Sequence, residues 1–199
     1  ALRMEHEHVF EATHRFVLEL AATRQVDGLR IDHPDGLYEP ARYFRKLQER
    51  YNQLALAAGA AAPPDAAARP LYVVVEKIIA PHEYLPESWP VYGTTGYRFA
   101  NVVNGLFVDA EARARVDRAW KAFVRDEAIP FAEACYRGKR IVLTSALAGE
   151  LAVLTRRLLR LARADRRTRD YTVNTLQRAV TEVIGFFPVY RTYITDSVS

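Results

Sequence analysis

The sequence predicts an α/β fold in which a small parallel sheet comes first and a mainly helical region follows. Helix-like and strand-like segments alternate through the first third of the chain, a pattern typical of parallel sheets. Residues 71–75 form a continuous apolar run, as in strands that helices cover on both faces. Beyond residue 97 the apolar periodicity is helical. We therefore divide the chain into an α/β segment, residues 1–108, and a mainly helical subdomain, residues 109–199.

Each element follows from a local pattern. Residues 7–24 predict an amphipathic helix, because apolar side chains recur at helical spacing. Residues 28–32 predict a short strand, which the turn-forming sequence Pro34-Asp35-Gly36 ends. Residues 39–56 predict the next helix, with a proline suited to its first turn. Further helices are expected over 110–134, 147–164 and 173–187, with a short strand or a turn over 141–145.

Two loops separate these elements in the first half of the chain. Residues 57–70 are rich in alanine and proline, and we interpret them as a surface loop. Residues 77–97 form a long loop with several prolines and glycines, and loops of that length are usually functional. Its segment 93–96, Gly-Thr-Thr-Gly, lacks the lysine of a phosphate-binding loop and predicts a tight turn near the rim of a site.

The composition is that of an ordinary globular protein, with 50% hydrophobic and 26% charged residues. The single cysteine, Cys135, allows no internal disulfide, so a reducing, cytoplasmic location is expected, and we interpret it as a buried, inert thiol. No run approaches the roughly 18 apolar residues of a membrane span, so no membrane partner is expected. Residues 1–20 do not resemble a signal peptide. The chain begins at Ala1 and stops soon after a structured-looking run, which predicts an internal piece of a longer protein.

The positive charge of the chain is concentrated in one stretch. The net charge is +4, and seven arginines lie close together: Arg156, Arg157, Arg160, Arg163, Arg166, Arg167 and Arg169. A solvated helix face is the simpler interpretation. A surface for nucleic acid or an acidic partner is the alternative. Because no aromatic residues interleave with these arginines for base stacking, we predict no nucleic-acid partner.

The histidines near the start of the chain predict no metal site. His6, His8 and His14 do not have the i, i+4 spacing with an intervening carboxylate that a helical zinc site requires. We interpret them as a surface cluster and expect neither a metal nor another cofactor.

Two carboxylates follow the two predicted strands. Asp32 ends the first strand, and Glu76 follows the apolar run of the second. Retaining glycosidases use such a pair, one carboxylate as nucleophile and the other as general acid. Arg30 shares a strand face with Asp32 and would keep it ionised, whereas burial would keep Glu76 protonated. Alternatively, Asp32 caps the following turn and Glu76 pairs with Lys77 or an arginine.

Longer motifs indicate a family. The strand motif Gly-Leu-Arg-Ile-Asp-His and the later strand-end glutamate resemble the α-amylase family, glycoside hydrolase family 13. Within that family the chain resembles the maltooligosyltrehalose synthases. The motifs that carry this resemblance are DGLRIDHPDGL (27–37), VEKIIA (75–80), LPESWPV (85–91), GTTGY (93–97), NGLFVD (104–109) and FPVYRTY (187–193).

The resemblance implies a (β/α)8 barrel with helical insertions, of which this chain would hold roughly strands three to six and a helical part. It implies isomerisation of the reducing-end α-1,4 bond of a maltooligosaccharide, an α-1,4-glucan, into an α,α-1,1 bond by a retaining mechanism. Asp32 would be the nucleophile and Glu76 the acid/base, with their carboxyl groups about 5–5.5 Å apart. Arg30 would orient Asp32, and His33 would line the sugar site.

The aromatic residues after Glu76 could bind sugar. Trp89 and Tyr97 are candidate stacking platforms, and packing beneath the loop is the alternative. The family also has a third essential aspartate, for which no motif follows Glu76. We therefore expect the chain to be inactive without its partner, the remainder of the parent polypeptide. A hydrolase of the same family and a non-catalytic basic helical module are the alternative functions.

Overall fold

The structure, a computed structural model, describes residues 2–60, 69–80, 82–124 and 129–194. It divides into two compact units. The first is formed by the described part of Ala1–Val108 and of Arg191–Ser199, and the second by that of Asp109–Tyr190. The predicted assignment of residues 1–108 and 109–199 to a barrel segment and a helical subdomain stays a prediction.

The first unit contains the alternating helices and strands that the sequence predicts. Its elements are α1 (Glu7–Ala22), β1 (Gly28–Ile31), a 3₁₀ turn (Pro34–Gly36), α2 (Pro40–Ala57), β2 (Tyr72–Val75), β3 (Gly93–Thr94) and α3 (Arg98–Gly105). The predicted bounds of the first two helices and two strands differ from these by two residues or fewer. Residues 61–68 of the predicted surface loop lie outside the described residues.

The strands form one parallel sheet in the order β1-β2-β3. The parallel arrangement is as predicted, but β3 is not, because Gly93 and Thr94 were expected to form a tight turn. They pair instead with Val74 and Val75 of β2. The pairing follows from two backbone hydrogen bonds that flank it, from Tyr92 N–H to the Val73 carbonyl and from Thr95 N–H to the Val75 carbonyl.

The core of the first unit lies on one face of β2. Val73 and Val75 are fully buried against Phe10 of α1 and Phe44 of α2. On the opposite face Tyr72 is 52% exposed. The expectation that helices cover both faces is therefore wrong for the described residues, because both helices contribute to the same hydrophobic cluster.

A buried glutamine fixes the start of β2. The side chain of Gln48 is 4% exposed, and its amide donates to the carbonyls of Leu71 and Pro90, each at 2.9 Å. Its amide oxygen accepts the Leu71 N–H, also at 2.9 Å. One side chain on α2 thus satisfies three backbone groups and sets where the strand begins.

A histidine buried between α1 and α2 is held in its neutral form. His14 Nδ1 lies 3.0 Å from the Phe10 carbonyl, which can only accept, so Nδ1 carries the proton. His14 Nε2 then accepts from the Tyr43 hydroxyl at 2.7 Å. Burial lowers the pKa of His14 and raises that of Tyr43 to about 12. His14 is therefore a core residue and not part of a surface histidine cluster.

The described part of the second unit is helical. It contains a 3₁₀ turn (Ala110–Ala112) and the helices α4 (Arg113–Val124), α5 (Phe131–Thr144), α6 (Ala148–Ala164) and α7 (Val173–Gly185). The short strand or turn expected over 141–145 is wrong, because Ile141 to Thr144 complete the last turn of α5. Cys135 on α5 is exposed, so its interpretation as a buried thiol is also wrong. In the part of the chain that the structure describes, no helix is long and apolar enough to cross a membrane.

Replacing Gln48 with alanine should destabilise the first unit by on the order of 2–3 kcal/mol, because buried backbone groups lose their partners. Gln53→Ala, at an exposed position of the same helix, should change the free energy of unfolding by less than about 0.5 kcal/mol. Urea denaturation followed by Trp89 fluorescence in a Trp120→Phe background measures both. Equal effects of the two substitutions would contradict the role assigned to Gln48.

The lowered pKa of His14 predicts acid sensitivity. Below its ordinary pKa, about 6.5, the unfolded chain takes up the proton that native His14 resists, so stability falls as pH drops from there through the native pKa. His14→Gln should remove this part of the pH dependence. His8→Gln, exposed on the same helix, should retain it. Denaturant melts between pH 7.5 and 5 compare the three proteins, and parallel pH profiles for all three would refute the assignment.

Candidate active site

Three residues with polar side chains lie side by side where the parallel strands end. Ile31 is in register with Val75, and the N–H of Glu76 donates to the Ile31 carbonyl at 2.9 Å. The N–H of Thr95 donates to the Val75 carbonyl at 2.8 Å. Asp32, Glu76 and Thr95 therefore follow the carboxyl ends of adjacent strands.

The carboxyl groups of Asp32 and Glu76 lie next to each other, and a hydrogen bond between them moves their two pKa values apart. The bond to Glu76, followed by the charge of Arg30, lowers the pKa of Asp32. The bond to Asp32, then desolvation and the negative charge of Asp32, raises the pKa of Glu76. Of the two groups, Glu76 therefore holds a proton more tightly and Asp32 gives one up more easily.

Arg30 joins both carboxylates to the third strand. Its Nη1 donates to Asp32 Oδ1 at 3.2 Å, and Nη2 lies 3.4 Å from Glu76 Oε1. Its Nε donates to the Thr95 hydroxyl at 3.1 Å. The predicted contact between Arg30 and Asp32 is present, and Arg30 also reaches Glu76, which strand alternation alone did not indicate.

The directions of both pKa shifts agree with the sequence analysis, but the cause for Glu76 differs. Burial was expected to raise its pKa, whereas the hydrogen bond to Asp32 is the largest cause and the side chain is 27% exposed.

His33 lies beside the pair in an uncommon backbone conformation. Its φ of 42° falls in the left-handed region, which few residues other than glycine adopt. Its backbone is hydrogen-bonded to the Glu76 carboxyl group. Its ring packs over Gly36, where an added Cβ would meet the ring at 2.8 Å. Chain reversal after β1 therefore places His33 at the pair.

Thr94 organises the backbone just beyond Glu76, and sequence reasoning missed it. Its hydroxyl accepts the N–H groups of Lys77 and Gly96, at 3.1 and 3.0 Å, and donates to the Lys77 carbonyl at 2.7 Å. A Cβ at Gly96 would lie 2.5 Å from the Lys77 carbonyl oxygen, so this close approach requires glycine. The short sequence Gly-Thr-Thr-Gly could have signalled a close backbone approach.

The two aromatic candidates for sugar stacking differ in their exposure to solvent. Tyr97 is 63% exposed at the start of α3 and has a ring surface open to solvent. Trp89 is only 4% exposed and packs against Phe44 and Tyr193, with ring centroids 5.1 and 5.3 Å apart. The assignment of Trp89 to substrate binding is therefore corrected to core packing, because its ring has no free face.

The arginine-rich stretch lies on the surface of the second unit. All seven arginines are exposed, on α6 and in the segment that follows it. Arg167 and Arg169 lie 3.7 and 3.9 Å from neighbouring aspartates, and Arg156 donates to the Ala152 carbonyl. These contacts agree with a solvated helix face.

Enzymes that act on glycosidic bonds are among those that use two adjacent carboxyl groups with opposite pKa shifts. Solved structures of such proteins match the chain. Maltooligosyltrehalose synthase from Arthrobacter ramosus matches 96% of this chain with a TM-score of 0.71 and 31% identity. A glycosyltrehalose synthase matches the same share with a TM-score of 0.67 and 30% identity. The matched region is 22% of each of those chains.

Curated relatives point the same way. Two proteins of Mycobacterium tuberculosis, each named a putative maltooligosyl trehalose synthase, are 35% identical to this chain over 113 residues. That alignment covers 57% of this chain and 13% of each relative, so the chain spans a small part of their length. No family model matches the chain. The predicted resemblance to maltooligosyltrehalose synthases is confirmed.

Asp32→Asn should lower the pKa of Glu76, because both the shared hydrogen bond and the charge of Asp32 raise it. Carboxyl ¹³C chemical shifts followed over a pH titration measure this change. Asp27→Asn, just before the start of β1, is the matched control and should leave Glu76 unchanged. A Glu76 titration that is the same in Asp32→Asn as in the unmodified chain would show that the two groups are not in contact.

Proposed function

We propose that the chain forms part of the active site of an intramolecular transglucosylase. The enzyme would convert the α-1,4 bond at the reducing end of a maltooligosaccharide into an α,α-1,1 bond. The adjacent carboxyl groups of Asp32 and Glu76, which both contact Arg30 and have opposite pKa shifts, carry the proposal. The names of the similar proteins support the type of reaction. We take the three strands to be neighbours in a (β/α)8 barrel, since active sites of such barrels lie at the carboxyl ends of their strands.

The first step breaks the α-1,4 bond. Ionised Asp32 attacks the anomeric carbon of the penultimate sugar and forms a glycosyl ester. Glu76 gives its proton to the glycosidic oxygen, so the terminal glucose leaves as a neutral molecule. The raised pKa of Glu76 and the lowered pKa of Asp32 both shift these groups towards the protonation states that this step needs.

The second step forms the new bond. The released glucose stays in the site and turns so that its anomeric hydroxyl faces the glycosyl ester. Glu76, now a carboxylate, takes the proton of that hydroxyl, and its oxygen attacks the anomeric carbon and displaces Asp32. Two inversions retain the configuration of the transferred sugar. The two steps balance, because the second step returns the proton to Glu76 and releases Asp32 as a free carboxylate.

Neighbouring residues have supporting roles in this mechanism. Arg30 holds Asp32 ionised and lies 3.4 Å from Glu76, where it would also stabilise the carboxylate that the first step produces. His33 would line the sugar site beside the nucleophile. Tyr97 would offer its exposed ring to a sugar face. Because the sequence has no motif for the family's third aspartate, we expect the chain alone not to turn over substrate.

A chimera tests the proposal. This chain replaces the matched segment of the Arthrobacter ramosus protein, and the chimera is incubated with maltopentaose. We expect a non-reducing product that ends in an α,α-1,1 bond, detected by loss of reducing ends and by NMR. Glu76→Gln in the chimera should reduce turnover about 10²–10⁴-fold, as loss of a general acid does. Asp32→Asn should cost at least as much, because it removes the nucleophile.

Two comparisons make this experiment decisive. Asp27→Asn in the chimera should leave turnover unchanged, and the 199-residue chain alone should give no product. A chimera that releases only glucose would support the hydrolase alternative. Near-normal turnover by the Asp32→Asn chimera would remove Asp32 from the mechanism.

A further inference from the structure

A buried ammonium group follows the candidate acid directly in the chain. The Lys77 side chain is 1% exposed, and a lysine is almost never this deeply buried without charged partners. Its Nζ lies 3.4 Å from Asp35 Oδ2 and 3.6 Å from Glu83 Oε1, and it donates to the Ile78 carbonyl at 3.3 Å. Asp35 and Glu83 are themselves only 8% and 15% exposed.

A segment far along the chain, which contains Arg191 and Tyr193, also contacts Asp35. The Tyr193 hydroxyl donates to the second carboxylate oxygen of Asp35. Arg191 Nη1 donates to the carbonyls of Asp35 and Leu37, at 2.8 and 2.7 Å. The ring of Tyr193 also packs against Trp89 and lies 5.6 Å from the Lys77 ammonium. We call Lys77, Asp35, Glu83, Arg191 and Tyr193 the Lys77 cluster.

The Lys77 cluster joins the two loops that carry the carboxyl pair. Asp35 lies three residues after Asp32, in the 3₁₀ turn that follows β1. Lys77 lies one residue after Glu76, beyond the end of β2. The ion pair between Asp35 and Lys77 therefore fixes the distance between the two loop ends, and Tyr193 fixes the orientation of the Asp35 carboxylate.

We propose that Lys77, Asp35 and Tyr193 are positioning residues that hold Asp32 and Glu76 in contact with each other. Their side chains reach the reaction only through the loop backbones, so they are not catalytic residues. The value of this arrangement for catalysis rests on the proposed function, whereas the positioning itself can be tested without turnover.

Charge and geometry have to be separated in the test. Replacing Lys77 removes a positive charge, which raises the pKa of both carboxyl groups whether or not they move. Replacing Tyr193 with phenylalanine removes one hydroxyl group and no charge at neutral pH. If the interaction between the carboxyl groups of Asp32 and Glu76 changes in the Tyr193→Phe variant, the cause is therefore a change in geometry.

The experiment follows the carboxyl ¹³C shifts of Asp32 and Glu76 through a pH titration of the 199-residue chain. We expect Tyr193→Phe and Lys77→Met to narrow the difference between the two pKa values towards the ordinary difference of about 0.4 units between aspartate and glutamate. Tyr84→Phe, on an 83% exposed tyrosine, and Lys46→Met, which breaks the ion pair with Glu7, are matched controls that should keep the full difference.

An unchanged difference in Tyr193→Phe, with the protein folded by circular dichroism, would overturn the proposal. An equal upward shift of both pKa values in Lys77→Met would also overturn it, because loss of the Lys77 charge alone explains such a shift. If Lys77→Met does not fold, the pKa difference measured in Tyr193→Phe decides whether the proposal holds. A narrowed difference together with a chimera that forms no α,α-1,1 product would leave the positioning in place and reject the proposed function.

Discussion

The register between β1 and β2 is the constraint on which the rest of the first unit depends. Ile31 pairs with Val75, so the next residue in each strand, Asp32 or Glu76, lies at the same level. Successive side chains point to opposite faces, and a slip of one residue would bring Lys77 rather than Glu76 level with Asp32. The position of the carboxyl pair and the opposed pKa shifts both follow from this single register.

Contacts on the buried face of the sheet hold that register. Val73 and Val75 are fully buried, so a slip of one residue would turn them out of the core. Gln48 satisfies the backbone at the start of β2, and Lys77 forms its buried ion pair beyond the end. A buried ion pair adds little net stability, because desolvation offsets the attraction. It does penalise any other register, since a slipped strand would leave buried carboxylates without their cation.

Much of this could be predicted from the sequence, and the failures have a common cause. The apolar run before Glu76 and the turn after Asp32 are local signals, so β1, β2 and both carboxylates were found. Strand β3 has only two residues, and its pairing depends on backbone groups of a strand about twenty residues away. The burial of Trp89 and the exposure of Cys135 depend on tertiary packing, which periodicity does not record.

The Lys77 cluster shows the same limit more sharply. Its members come from residues 35, 77, 83, 191 and 193, and no local pattern links the first to the last. The sequence places a lysine beside Glu76, and the alternative to a catalytic role was that Glu76 pairs with Lys77 or with an arginine. Because neighbours at a strand end point to opposite faces, Lys77 turns to the interior and Arg30 takes the place beside Glu76.

Exposure of the carboxyl pair bears on the choice between isomerisation and hydrolysis. Asp32 is 71% exposed and Glu76 27% exposed, so water has access to both in the described part of the chain. A glycosyl ester on an open Asp32 would be hydrolysed, because water at its bulk concentration competes with the released glucose. Isomerisation therefore requires groups that cover Asp32 while leaving Glu76 within reach of both sugar oxygens. In the proposed mechanism the carboxyl pair breaks and forms the glycosidic bonds, and the groups that enclose the pair decide between isomerisation and hydrolysis.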